Sequence, residues 1–259
     1  KADFDNIQAA INAASDGDTV LVSAGVYIGN QDEVVNLLGK AVTLQSVSGA
    51  GKTIIDGNGK RRGILCENGE TSATVIEGFT IQNCIAPWLD WDGDNQIDSW
   101  EYAGAGMGNR LSDPTILHCV FQNNAASQSG GGMMNFASSP AITNCSFDNN
   151  SADSLGGGMY NYSNSHPIIS LSSFTSNTSA HLGGGMYNRY LSNTVLSDTT
   201  FDSNTAVNGG GGIYNSAQAD IEMTDCTISN NSVSNFGGFG GGLVFFNSNP
   251  TLTNCTIAS

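Results

Sequence analysis

The chain shows its clearest hydrophobic pattern from about residue 105 onward. Apolar positions there alternate with polar ones in runs too short for a helix, and the runs recur at a fixed interval. Met107, Met133, Met159, Met186 and Ile213 each follow a glycine cluster and stand 26 or 27 residues apart. A second series comprises Ile116, Ile142, Ile169, Leu196, Met223 and Leu252, and a third Phe121, Phe147, Phe174 and Phe201. Each third-series position is followed three residues later by an asparagine, at Asn124, Asn150, Asn177 and Asn204, and Ile228 by Asn231 in the same way. A period of this length means a stack of similar units. Glycine, asparagine and proline punctuate the runs, so each unit holds about three short strands and has no room for an ordinary helix.

The pattern therefore predicts an all-β fold, a parallel β-helix of 26–27-residue coils in one domain over 1–259. Each apolar series stacks inward as a ladder, and the asparagines form an amide ladder in a turn. Alternation along GGGMYN, found at 156–161 and again at 183–188, sends Tyr160, Tyr187 and Tyr214 outward beside Tyr162 and Tyr190. The resulting aromatic stripe is a candidate surface for sugar rings or a partner protein.

The F-x-x-N segment followed by G-G-[AG]-[ILVM] resembles the repeats of the chlamydial polymorphic membrane proteins, which are surface-exposed autotransporter passengers. More broadly it resembles the right-handed parallel β-helix superfamily that includes pectate lyases. The resemblance runs from about Phe79 to the end. It implies a right-handed solenoid, and for function it leaves lyases, hydrolases, adhesins and structural filaments all open.

Before the repeats, Phe4, Ile7, Ala10, Ile11 and Ala14 fall at helical spacing, with Asp5 and Gln8 placed as a capping box. A cap helix within 1–18 would cover the open apolar end of the first coil. Together with the Asp16-Gly17-Asp18 turn and Gly25-Val26-Tyr27, it resembles the amino-terminal cap of many secreted β-helix proteins. Strands are expected at Thr19 to Val22, Gly25 to Tyr27, Val34 to Leu38, Val42 to Gln45 and Thr53 to Asp56. At the other end the repeat breaks off after Ile257, and the chain starts without an initiator Met or a signal peptide, so it is expected to be a mature or excised piece of a longer repeat protein.

Charge narrows the partners. Among 259 residues there are 23 Asp and Glu against 8 Lys and Arg, a net charge of −15. No basic face can be assembled from so few cations, so nucleic acid is not an expected partner. Three of the cations form Lys60-Arg61-Arg62, which reads as a solvated loop, with an acidic sugar as the alternative ligand. No apolar run is long enough to span a membrane. The acidity and the Ser/Thr/Asn-rich outward positions suit an extracellular or cell-surface protein that attracts cations.

One stretch breaks the repeat. Asp90-Trp91-Asp92-Gly93-Asp94-Asn95-Gln96-Ile97-Asp98-Ser99-Trp100-Glu101 resembles an EF-hand calcium loop. The resemblance implies Ca²⁺ held by Asp90, Asp92, Asp94, the Gln96 carbonyl, Asp98 and a bidentate Glu101. Asn95 stands where the family has Gly, and Asn tolerates the left-handed turn required there. The turn carrying this segment is about 14 residues longer than in the other coils, which makes 86–104 an insertion. Trp88, Trp91 and Trp100 in or beside it either pack it onto the solenoid or offer a sugar-stacking platform.

Six cysteines lie mostly in one slot of successive coils, Cys119 beside Cys145 and Cys226 beside Cys255, as free buried thiols or as disulfides. His118, His166 and His181 share no slot. An enzyme on this fold needs an acid paired with a base or nucleophile, or carboxylates holding Ca²⁺ beside a basic residue. Arg189 and Arg110 are the candidate bases, but Arg189 has Tyr162 and Ser216 in register rather than acids. The expected role is therefore a calcium-stabilised structural or adhesive module, such as a surface adhesin, a passenger or a filament subunit able to self-associate through its open last coil. The alternative is a calcium-dependent polysaccharide lyase or glycoside hydrolase acting on an acidic polysaccharide.

Overall fold

The computed structural model describes residues 3–86 and 103–258. The Asp90–Glu101 segment and its three tryptophans lie outside the described residues.

Every strand pairing is parallel, and each strand pairs with its counterpart one coil away, as in Phe121↔Phe147, Phe147↔Phe174 and Phe174↔Phe201. Among the described residues the strands form sheets of nine, nine, five and eight. One coil runs from a first-sheet strand such as Thr115–Leu117 to a second-sheet strand, Val120–Gln122. It then crosses a narrow ladder, Ala125–Ala126, and ends on a third-sheet strand, Met133–Phe136. The narrow ladder is one element more than the three strands per coil that the pattern predicts. Its strands are two residues long, too short for alternation to reveal.

Corners between the first and second sheets in the regular coils hold one left-handed residue, such as His118, Asn144, Leu171, Asp198 and Asp225. A single residue with positive φ turns the chain sharply without a loop, and asparagine tolerates it best among non-glycines. The glycine cluster has a different cause. A Cβ on Gly157 would collide with the carbonyl oxygen of Thr178 in the next coil, so close backbone contact requires glycine there.

Inside, the three predicted ladders are present and buried, except that Leu252 on the last coil is 36 % exposed. The phenylalanines stack with centroids 4.8, 4.6 and 4.5 Å apart and nearly parallel planes. The Asn124-to-Asn231 ladder is also present. Each amide nitrogen donates to the next coil's side-chain oxygen at 2.9–3.0 Å and to a backbone carbonyl, as from Asn177 to Phe147 at 2.9 Å.

The pattern did not reveal a second amide ladder, formed by the asparagine that closes each GGGMYN-type motif. Asn109, Asn135, Asn161, Asn188 and Asn215 are buried and linked in sequence at 2.8, 2.7, 2.7 and 2.6 Å. It ends where Cys66 and Phe245 take the slot. The terminal atoms Asn109 Oδ1 and Asn215 Nδ2 accordingly have no hydrogen-bond partner.

The cap helix α1 spans Ile7–Ala13 and buries Ile7 and Ile11 on the first coil. Its N-cap is Asn6, whose Oδ1 accepts from Ala9 N at 2.8 Å, rather than Asp5. Gln8 cannot close the expected capping box, because its amide bridges to the backbone of Asn36 instead. Lys40 Nζ donates to the carbonyls of Ile11, Asn12 and Ala14 at the far end of the helix, where a cation complements the free carbonyls.

All six cysteines are free. In the corner after the first sheet the thiols of Cys119, Cys145 and Cys226 donate to the carbonyl two residues back, as the hydroxyls of Ser172 and Thr199 do. Cys, Ser and Thr are interchangeable in this slot because each supplies a small donor. The hydrogen bond with the Cys119 thiol, with burial after it, holds the Cys145 thiol well above its ordinary pKa.

Replacing Asn161 by Ala breaks the inner amide ladder at its centre, stranding Asn135 Nδ2 and Asn188 Oδ1. A loss of about 2–4 kcal/mol in chemical denaturation is expected, from one lost hydrogen bond on each side and the buried groups left unpaired.

Candidate functional site

The outer face of the third sheet carries most of the residues singled out for chemistry. Two side-chain rows run along it. The upper row comprises Leu65, Gly108, Met134, Tyr160, Tyr187, Tyr214 and Val244, and registers at one residue per coil. The lower row holds Arg110, Phe136, Tyr162, Arg189, Ser216 and Phe246. Arg110 and Arg189 therefore stand in one line, three coils or about 14 Å apart at the usual strand spacing. The in-register neighbours of Arg189 are Tyr162 and Ser216, as expected.

The upper row is not the open stripe that alternation implied. Tyr160 is only 7 % and Tyr187 only 4 % exposed. Both belong to a second apolar cluster with Ala103 and Met134, packed by Leu155 and Leu182. Residues just before each glycine cluster fold back over the outer face and bridge from coil to coil through Ser129, Leu155, Leu182, Gly209 and Phe239. Alternation gives the side of the sheet a residue lies on. It does not say whether the same coil covers that side. Tyr162 and Tyr214 remain half-buried, and Tyr190, in the turn beyond, is 44 % exposed.

At the Arg189 end, phenols surround the guanidinium. Its Nη2 donates to Tyr190 Oη at 2.9 Å and the group lies 4.4 Å from the centre of that ring, in a cation–π contact. Burial opposes the charge on Arg189, but the phenols of Tyr187, Tyr160 and Tyr190 outweigh it and raise its pKa. Burial likewise raises the phenol pKa values of Tyr160 and Tyr187, with Arg189 pulling the other way. Tyr187 Oη shares a hydrogen bond with Ser216 Oγ at 2.8 Å. Beside these groups lies a cavity of about 310 Å³, lined by Tyr187, Arg189, Tyr214, Ser216, Phe246 and Asn247 among others.

At the opposite end the charge run reads differently from its sequence. Arg62 is fully buried rather than solvated. Its side chain occupies the space over Gly108, where neighbouring coils have Met134 or Tyr160. Arg62 Nε and Nη2 donate to the carbonyls of Gly104 and Ala103 at 2.9 and 2.8 Å, at the end of the inserted segment. Burial lowers its pKa to about 9 against the pull of Glu33 and Glu67. Glu67 is half-buried, and burial raises its pKa despite Arg62 and Arg110 nearby. Glu70 is structural, its carboxylate taking Gly39 N, Asn68 N and Ser112 Oγ at 2.7, 3.0 and 2.8 Å. The sequence signal for Arg62 was the glycine at 108, a gap in the outer row for a side chain from the preceding coil.

The expected calcium ligands Asp90, Asp92, Asp94, Gln96, Asp98 and Glu101 lie outside the described residues. Among the described residues no group of three or more His, Cys, Asp or Glu side chains is placed to hold a metal ion. The three histidines sit apart, His118 at a corner against Asn144, His166 accepting from Asn193 N, and His181 against Asn208.

The pattern of the right handed beta helix region matches residues 22–205 and again 148–259. The chain belongs to the right-handed β-helix family. No curated protein and no solved structure matches it.

Because Tyr187 is buried, replacing it with Ala should lower stability by about 3–5 kcal/mol, beyond any effect on binding. Tyr187→Phe, which loses only the bond to Ser216, should cost about 1 kcal/mol. For Arg62, the folded pKa near 9 lies below the unfolded 12.5. The unfolded chain thus binds more protons across that window, and stability linked to this group rises with pH through it. The difference in unfolding free energy between the intact chain and Arg62→Gln should shift toward the intact chain from pH 8 to 10.

Proposed function

We propose that this chain is a structural and adhesive β-helix module, secreted or displayed on a cell surface, whose outer third-sheet face engages a partner. The observation that carries the reading is the lower row. It presents Arg189 and Phe246 in the wall of an open cavity, with phenols and a serine around the arginine and Tyr162 and Phe136 on the two preceding coils. Such a set binds a ligand. Glycosidic cleavage would need a paired acid and base there. The family and its closely stacked ladders support a rigid module, as does the resemblance to surface-exposed passenger repeats. The acidic composition supports an extracellular setting.

Calcium belongs to this reading through the insertion. Five carboxylates and a carbonyl between Asp90 and Glu101 are hard oxygen donors of the kind Ca²⁺ takes. Arg62 ties down the segment that follows them, which would let ion binding stiffen the solenoid where two coils meet.

One observation favours the enzyme alternative, a lyase or hydrolase of acidic polysaccharide. Glu67, with its raised pKa, lies within the influence of Arg110 on the same face, a carboxyl and a base at the end nearer the insertion. A screen on acidic and neutral polysaccharides, in calcium and in chelator, separates the two readings. The expected result is no rise in 235 nm absorbance and no new reducing ends from a folded protein. Turnover abolished by changing Arg110 or Arg189 would establish the enzyme.

The metal has its own readout. Chelator should lower the melting temperature of the intact chain, and Glu101→Gln should melt at the lower temperature with or without calcium. Identical melts in both media would remove calcium from the account.

A further inference from the structure

Among the described residues Arg189 is a cation with no carboxylate partner. Its hydrogen bonds are to the phenols of Tyr190 and Tyr160. Among the described residues no carboxylate forms an ion pair with it. In a chain with 23 acids and 8 bases, an arginine without an acid partner runs against the composition. A guanidinium carries five N–H donors in a rigid fork, and the phenols use only some of them. The adjoining cavity of about 310 Å³ lies at the small end of the ~300–1,000 Å³ range of ligand pockets.

We propose that this cavity is a subsite for one anionic sugar residue, a pyranose ring whose carboxylate or sulfate pairs with Arg189. The proposal rests on the reading of this face as the binding face and names the chemistry it selects. Tyr214 and Phe246 supply flat apolar faces for the C–H side of a sugar ring, and Phe246 is 66 % exposed. Asn247 supplies an amide for sugar hydroxyls, beside the hydrogen-bonded Tyr187–Ser216 pair. A carboxylate meets the guanidinium fork with two parallel hydrogen bonds, and a sulfate presents a comparable pair of oxygens.

The geometry disfavours a peptide in this place. Extended peptides gain affinity by adding a strand to a sheet edge. Here the ligand meets the face of a sheet whose strands are already paired on both sides, Met186–Arg189 with Met159–Tyr162 and with Ile213–Ser216. Recognition must therefore come from side chains, and those present are ring faces, hydroxyls, an amide and one cation.

The test is calorimetric titration of the intact chain, in calcium, with three probes: a hexauronate, a sulfated hexasaccharide and a neutral glucose hexasaccharide. At least one anionic probe should bind, the neutral one at least tenfold more weakly, and affinity should fall with added salt. The anionic probe that binds tells carboxylate from sulfate. Arg189→Gln should weaken binding tenfold or more, and Arg189→Lys should retain part of it, because a point charge replaces the fork. Phe246→Ala, at an exposed position, should weaken binding three- to tenfold at an unchanged melting temperature.

Equal affinity for the neutral probe, an Arg189→Gln variant that binds as the intact chain does, or no binding by a chain that melts normally would each overturn the subsite. No binding together with no turnover removes the subsite and leaves the structural module. Arg189-dependent binding accompanied by turnover keeps the subsite and overturns the non-catalytic reading.

Discussion

Vertical register is the constraint on which this fold depends. A coil can stack on its neighbour only if each side chain meets its counterpart one strand spacing away, and the two amide ladders enforce this most strictly. Each asparagine donates to the one in the next coil, at 2.6–3.0 Å along both rows. A slip of one residue would bury unpaired amides and turn the apolar set outward, which is far costlier than losing a single contact. The phenylalanine stack, with centroids at 4.5–4.8 Å, follows from this register.

The fold was legible in the sequence because register is written as a period. The methionine, isoleucine, phenylalanine and corner-asparagine ladders, and the pairing of Arg189 with Tyr162 and Ser216, all follow from counting residues. The inner asparagine of GGGMYN was equally countable. Its position two residues after Met159 puts it inside, whereas polarity alone would put it on the surface. The helix cap missed by one residue, since Asn6 and Asp5 are both good caps and only the chain's path chooses between them.

The site was less legible for a different reason. Periodicity assigns a side of the sheet but carries no information about what folds across it. Tyr160 and Tyr187 do point outward, yet Leu155 and Leu182 cover them. Arg62 belonged to a run of three cations that composition reads as solvated, and it is the most deeply buried charge on this face. Its placement depends on Gly108 one coil later, a relation between two repeats that appears only once their register is fixed.

The same logic explains where function can reside on a solenoid. Inward positions are held alike by stacking, the corners take a left-handed residue, and the glycine cluster admits nothing larger than the alanine at 105. Only the outer rows are free to differ from coil to coil. The lower row uses that freedom fully, passing from Arg110 through Phe136 and Tyr162 to Arg189, Ser216 and Phe246, while the inner slot beside it reads Asn109, Asn135, Asn161, Asn188 and Asn215. Sameness inside this repeat is the mark of packing. An outer row that departs from it, with an arginine held by phenols near its centre, is where recognition can be added without disturbing the register that holds the coils together.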